Sequence, residues 1–317
     1  MLKGMPIIAL EEHYYDKELA EAFGGGGGPP PIIKKLYDLE DERLAAMDRA
    51  EVEINVLSHA APSGQAFAGD KAVDICKRAN DRLAELCARH PTRFYGFASL
   101  PTGAPDKAAD ELERCVKDLK FLGTMLHGPT AGRFHDDPFF WPVFERAEAL
   151  DVPVYIHPAQ PMKVVADAYY SDYAKDFPSI TSAGWGFGIE TASACVRLIL
   201  SGLFQKHPNL KIVVGHLGEM IPFFLWRIES SLSRPGHKQV HFRETFAKNF
   251  WLTTSGCFST PALLCCMQEV GMDKIMFSTD WPYVEHTEGV EWMKTLQISP
   301  ADLEKLVNGN ARKLLKI

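Results

Sequence analysis

No stretch of the chain approaches the roughly 18 uninterrupted apolar residues that a membrane-spanning helix requires. Nor is there a block of Lys and Arg interleaved with aromatics, the usual mark of a nucleic-acid surface. With 34 basic against 41 acidic residues and a net charge of −7, neither a membrane nor a nucleic acid is an expected partner. The start, Met1-Leu2-Lys3-Gly4-Met5-Pro6, runs into a predicted strand rather than into a signal-type apolar core, which predicts a cytoplasmic protein. Cysteine is sparse: seven residues, scattered except for Cys265-Cys266 and without zinc-knuckle spacing. They read as reduced, mostly buried small hydrophobes. A Gly-rich phosphate turn after the first predicted strand is also missing, which disfavours the runner-up architecture, an open doubly wound sheet.

What remains is an ordinary globular composition, 46% hydrophobic and 24% charged over 317 residues, enough for one large core. The apolar patterning alternates between short strand-like runs and helical periodicity. Predicted strands lie at 7–13, 53–59, 94–100, 123–128, 152–158, 210–216, 250–255 and 274–280. Predicted helices include 37–50, 70–89, 105–120, 137–150, 190–206 and 221–232. Eight such units running in one direction predict a single α/β domain over 1–317, a (β/α)8 TIM-type barrel. Residues 160–188 interrupt the rhythm as a long irregular, aromatic-rich insert after strand five, a length that points to a functional loop. Gly24 to Gly28 followed by Pro29-Pro30-Pro31 predicts a mobile lid over the barrel mouth, with Phe23 at its leading edge.

The first strand breaks from Ile7-Ile8-Ala9-Leu10 into Glu11-Glu12-His13. Residues two apart on a strand share a face, so Glu11 and His13 point one way and Glu12 the other. In a barrel the C-terminal strand ends share one mouth. Those ends here carry Glu11 and His13, then His59, His127, His157, His216 and Asp280. A single histidine at a strand end is more often structural than a ligand, but this number at one mouth indicates a site. His59, followed by Ala60-Ala61-Pro62, also reads as a capping or loop residue. Glu219 follows His216 by three residues, near enough to fix its tautomer and raise its basicity, and is equally a helix N-terminal acid. Arg227, in the apolar setting Phe223-Phe224-Leu225-Trp226, is expected to need a buried anionic partner.

These motifs resemble the amidohydrolase superfamily, and within it the metal-dependent aromatic-acid decarboxylases such as γ-resorcylate decarboxylase. The resemblance rests on Glu11-Glu12-His13, Tyr155-Ile156-His157-Pro158, Gly215-His216-Leu217-Gly218-Glu219, Trp226-Arg227-Ile228, Phe277-Ser278-Thr279-Asp280-Trp281-Pro282, and the stretch from Gly184 to Ala192 with Ser201 to Phe204. It implies one divalent metal, zinc or manganese, held by Glu11, His13, His157 and Asp280. Strand four ends in His127, with no lysine to be carboxylated between two metals, so a single ion is expected. Two positions depart from the branch: His127 stands where Asn is common, and Ala194 where His is common.

The activity implied is non-oxidative decarboxylation of a hydroxylated aromatic acid. A proton reaches the ring carbon bearing the carboxylate before carbon dioxide leaves, with the carboxylate and ortho oxygen chelating the metal. Asp280 or His216, with Glu219 behind it, is the expected acid. Phe23, Trp185 and Phe187 are expected to sandwich the ring, with His127 and Arg227 also contacting substrate. Hydrolysis of a lactone or amide by a metal-activated water is the rival reaction, and a non-catalytic metal-binding scaffold the third reading. The resemblance also implies a homodimer or homotetramer, for which the insert offers a surface.

Overall fold

The computed structural model describes residues 4–25, 28–236 and 238–317. Its strands are β1 (Ile7–Tyr14), β2 (Val52–His59), β3 (Phe94–Gly96), β4 (Thr124–His127), β5 (Val154–His157), β6 (Ile212–Val214), β7 (Phe250–Thr253) and β8 (Ile275–Met276). All pair in parallel, in the orders β1-β2-β3 and β4-β5-β6-β7-β8. Helices cross between them, and the architecture is the expected (β/α)8 barrel.

Two seams join the strand groups. Between β3 and β4, a lone bridge pairs Ala98 with Thr124, reinforced by Ala98 N donating to Gly123 O at 2.9 Å and Thr124 Oγ1 to Ala98 O at 2.7 Å. Between β8 and β1 the strand ends meet through Asp280 N to Glu11 O at 3.1 Å and His13 N to Trp281 O at 2.7 Å. The Ser278 hydroxyl oxygen accepts from Leu10 N at 3.1 Å and Glu11 N at 2.6 Å, then donates to Glu12 Oε1 at 2.9 Å. A side chain thus replaces ladder bonds that the short β8 does not provide.

Alternation along the strands sorts the core. Ile8, Leu10, Ile54, Val56, Phe97, Met125, Tyr155, Val213 and Met276 fill the barrel interior, and Ala311, Leu314 and Leu315 pack with them from the C-terminal helix. The opposite faces, such as Ile7, Ala9, Leu57, Leu126, Val154 and Leu252, pack against the surrounding helices in a much larger cluster. Near-continuous burial of each strand follows from this double covering.

Several expected boundaries move. The predicted 37–50 helix is shorter, Asp41–Arg49, and an unpredicted helix, Pro30–Tyr37, precedes it; Pro30 and Pro31 supply the first turn of the latter, where a missing N–H costs nothing. The predicted 190–206 helix begins earlier, at Gly186, and ends at Leu200. Gly202, at φ 95°, separates it from a short turn, Leu203–Lys206. The insert is not irregular: it carries helices Lys163–Tyr169 and Ser171–Ala174 and a 3₁₀ turn at Pro178–Thr181. Of the glycine lid, Gly26 and Gly27 lie outside the described residues.

Removing the Ser278 hydroxyl leaves two buried N–H groups of β1 unpaired. Ser278→Ala is expected to cost at least about 2 kcal/mol, read as a lower urea midpoint at unchanged m-value.

Candidate functional site

The mouth is organised by an irregularity in β1. Between Ala9 and Glu12 this strand advances three residues while its partner advances two, from Asn55 to Leu57. Ile8 and Leu10 already face the interior, so strict alternation would send Glu11 outward. The extra residue, a β-bulge, lets Glu11 follow Leu10 inward, and Glu12 then points away and His13 in. Glu11 meets Tyr155 on the interior: the Tyr155 hydroxyl hydrogen-bonds Glu11 Oε2 and lies 2.7 Å from Thr253 Oγ1. Room for the carboxylate comes from Gly215, where a Cβ would sit 2.6 Å from Glu11 Oε2 and 3.1 Å from the Tyr155 hydroxyl.

Glu12 performs a different task on the far face. It accepts from Thr279 N and Trp281 N, each at 3.0 Å, and from Ser278 Oγ at 2.9 Å. Those bonds fix the backbone on either side of Asp280. Buried Arg43 completes the brace, donating to the His13 carbonyl and lying 4.2 Å from the Trp281 ring centroid, a cation–π geometry.

Ligand atoms of Glu11, His13, His157 and Asp280 all lie within 4.8 Å of one another. Glu11 Oε1, His13 Nε2 and Asp280 Oδ1 are buried and lack a hydrogen-bond partner. His13 Nε2 is only 3.1 Å from Asp280 Oδ1, and His157 Nε2 is 3.2 Å from Glu11 Oε1; the groups converge without the alignment of hydrogen bonds. Two carboxylates and two imidazoles whose free lone pairs meet at one point fit a divalent cation. Burial would push the Glu11 carboxyl up, but the His216, His13 and His157 imidazoles outweigh it and hold it well below the usual range. Burial likewise opposes charge on His13, yet Asp280 and Glu11 raise it to about 9. Both shifts express one strongly negative point that attracts a cation.

His216 lies beside this point, its Nε2 3.9 Å from both Glu11 Oε1 and Asp280 Oδ2. Its Nδ1 is 2.7 Å from Glu219 Oε1. Against desolvation, Glu219, Glu11 and Asp280 hold the imidazole well above the usual histidine value. The turn that presents it is strained: His216, Leu217, Glu219 and Met220 all have positive φ, as does Asp280 at 71°. Such backbone clusters at functional sites.

A cavity of about 480 Å³ opens above these groups, bordered by His13, His157, His216 and Asp280, with Phe187, Tyr15 and Tyr283 among its walls. Of the expected ring contacts, Phe187 borders it. Phe23 packs instead on Tyr15, His59 and Phe67, and Trp185 is half exposed and away from the lining. His127 is buried beneath His157 rather than in the cavity. Arg227 is exposed and has no ion-pair partner among the described residues of the single chain: its helix turns it outward, away from the cavity lining. Tyr15, Tyr155 and Tyr283 were not anticipated. Tyr155 was within reach, since it stands two residues before His157 on the same strand face; Tyr15 and Tyr283 follow the motifs in irregular backbone, where no periodicity marks their direction.

Comparison with known proteins places this geometry. A family model described as Amidohydrolase matches residues 13–317. The γ-resorcylate decarboxylase of Polaromonas sp. is 39% identical over 327 residues, covering 98% of either chain. The structure of a 2,6-dihydroxybenzoate decarboxylase complexed with 2,6-dihydroxybenzoate is similar with a TM-score of 0.89 at 38% identity, covering 99% of this chain and 100% of that one. A dihydroxybenzoic acid decarboxylase of Polaromonas sp., solved with manganese and the inhibitor 2-nitroresorcinol, has a TM-score of 0.90 at 39% identity, covering 98% and 97%.

Since Gly215 makes room for the Glu11 carboxylate, Gly215→Ala is expected to displace it and weaken manganese binding by at least about tenfold. Metal quantitation after dialysis, with circular dichroism to confirm the fold, checks this; full metal retention would show that Glu11 tolerates the methyl group.

Proposed function

This chain belongs to the amidohydrolase family, and we propose that Glu11, His13, His157 and Asp280 hold its single divalent ion, manganese or zinc. It is a carboxy-lyase that removes carbon dioxide from a hydroxylated aromatic acid in a metal-dependent reaction. When bound, the ion supplies positive charge that holds and orients the substrate's oxygens. The observation that carries the assignment of residues is the set of three buried, unpartnered ligand atoms converging on one point beside the His216 imidazole.

The protein's own groups then handle one proton. Glu219 accepts from His216 Nδ1–H, which leaves the Nε2–H of the imidazolium on the side of Asp280 and Glu11. His216 is the proton store, and Asp280 is the second group within reach of a ring in the cavity. Protonation of the ring carbon breaks aromaticity; cleavage of its bond to the carboxylate returns the electron pair to the ring, carbon dioxide leaves, and water later reprotonates the acid. Phe187 and the ring edge of Tyr283, whose centroid lies 5.6 Å from that of His13, confine the substrate ring. Hydrolysis of a lactone or amide loses its ground, since the relatives described above are decarboxylases.

A cytoplasmic location suits the seven free cysteines, and one family model over residues 13–317 suits the single domain over 1–317. A second copy of the chain is the proposed partner, docking on exposed Tyr169, Tyr173 and Phe177 of the insert and on Phe223 and Trp226. Among the described residues, no helix is long and apolar enough to cross a membrane.

A panel of hydroxybenzoates incubated with the manganese-loaded protein is expected to release carbon dioxide from at least one member. His216→Asn and Asp280→Asn should each lower turnover at least about a hundredfold. Near-normal turnover with metal content intact would remove that residue from proton delivery. Glu219 raises the His216 pKa, and the acid is lost as pH climbs through that value. Glu219→Gln should therefore move the alkaline limb of the kcat profile to lower pH; an unmoved limb would assign the limb to another group.

A further inference from the structure

His127 stands at the C-terminal end of β4, two residues along from interior Met125, yet it does not border the cavity. Its ring lies beneath that of His157, centroids 4.8 Å apart and nearly perpendicular. Hydrogen-bond chemistry fixes its protons. His127 Nε2 is 2.9 Å from the carbonyl oxygen of His59, and a carbonyl only accepts, so Nε2 carries a hydrogen. In the neutral ring Nδ1 is then a bare lone pair. It faces His157 Nδ1 at 2.9 Å, and two nitrogens at that distance need one proton between them, which must belong to His157. The same His157 N–H also faces Pro158 O at 2.7 Å. With Nδ1 protonated, His157 presents a bare Nε2 toward Glu11 Oε1 and the point where the ligand atoms meet.

We propose that His127 is a positioning residue for the metal: it accepts from His157 Nδ1–H while donating to the His59 carbonyl, so that His157 is locked as an Nε2 ligand. This rests on the assignment of His157 as a metal ligand. It also replaces the expectation that His127 contacts the substrate. The Pro158 carbonyl by itself would set the tautomer, but it belongs to the residue next to His157 and moves with it. His127 instead ties the ring to β2, across the seam at which β3 and β4 share one bridge. β2 in turn is paired with β1 through His13↔Ser58, and Ser58 Oγ lies 3.3 Å from His13 Nδ1. Ligands on the two strand groups are thereby held at a fixed spacing through side chains below the cavity floor. Partners of this kind orient imidazole ligands, and their loss typically lowers metal affinity about 10–100-fold.

Two variants separate positioning from space filling. His127→Phe keeps a ring but neither accepts nor donates; His127→Gln offers a carbonyl to His157 and an amide N–H to His59. Manganese titration by calorimetry is expected to show the Phe variant about 10–100-fold weaker than wild type, with the Gln variant recovering most of that loss. A Phe variant that binds as wild type does, or a Gln variant as weak as the Phe one, would overturn the proposal. Nitrogen-15 NMR of the histidine rings in the unsubstituted protein tests it without relying on either variant's folding. Protons on His127 Nε2 and His157 Nδ1 are expected, and a His127 proton on Nδ1 would overturn it. Wild-type protein that binds no manganese would instead refute the ligand assignment itself, a result distinct from all of these.

Discussion

A fully buried carboxylate with an oxygen that no donor reaches is among the least favourable things a protein can place in its interior, and the barrel mouth is arranged around one. Glu11 is completely buried, its Oε1 unpartnered. The Tyr155 hydroxyl holds its other oxygen, three imidazoles surround it, and Gly215 gives up a side chain to admit it. These accommodations come from β1 itself, from β5 and from the turn after β6, so the requirement of one residue reaches across the barrel. That expense has no structural return of its own; it is what a site built to hold positive charge requires.

Strained backbone follows from the same demand. His216 must approach Glu11 and Asp280 while keeping Glu219 behind it, and the chain meets both conditions only by running non-glycine residues through positive φ from 216 to 220. Asp280 adopts a similar conformation where Glu12 grips its neighbours' amides. Glu12 thus serves the site without facing it, by keeping Asp280 in a conformation that the backbone would otherwise leave.

How much of this was legible in the sequence depended on whether periodicity governed the residue. Strands ending in Glu11, His13, His157 and His216 were visible because alternation and apolar runs mark a strand and its last side chain. Alternation alone, however, would have turned Glu11 outward from Ile8 and Leu10; the bulge that reverses this leaves no signature in residue type. Arg227 misled because an apolar neighbourhood in sequence is not one in space: the same helix exposes Phe223, Phe224 and Trp226. His127 was rightly placed at the mouth end of its strand but wrongly in depth, since a strand end does not tell how far above it the cavity floor lies. Helix Pro30–Tyr37 escaped because it opens on the prolines of a stretch that reads as loop, and the break at Gly202 because the helical pattern continues through it.

The seam between β8 and β1 has a consequence for how the protein comes apart. Glu11 and His13 stand on one side of it and Asp280 on the other. An ion shared by these residues would also be a cross-link across this join, and its binding free energy would count toward keeping the wall closed. A chelator would then act on this enzyme twice, first as an inhibitor and then as a mild denaturant directed at one edge. In a cell poor in the metal, the same coupling would turn scarcity into turnover of the protein, because the idle form is also the one that opens to proteases.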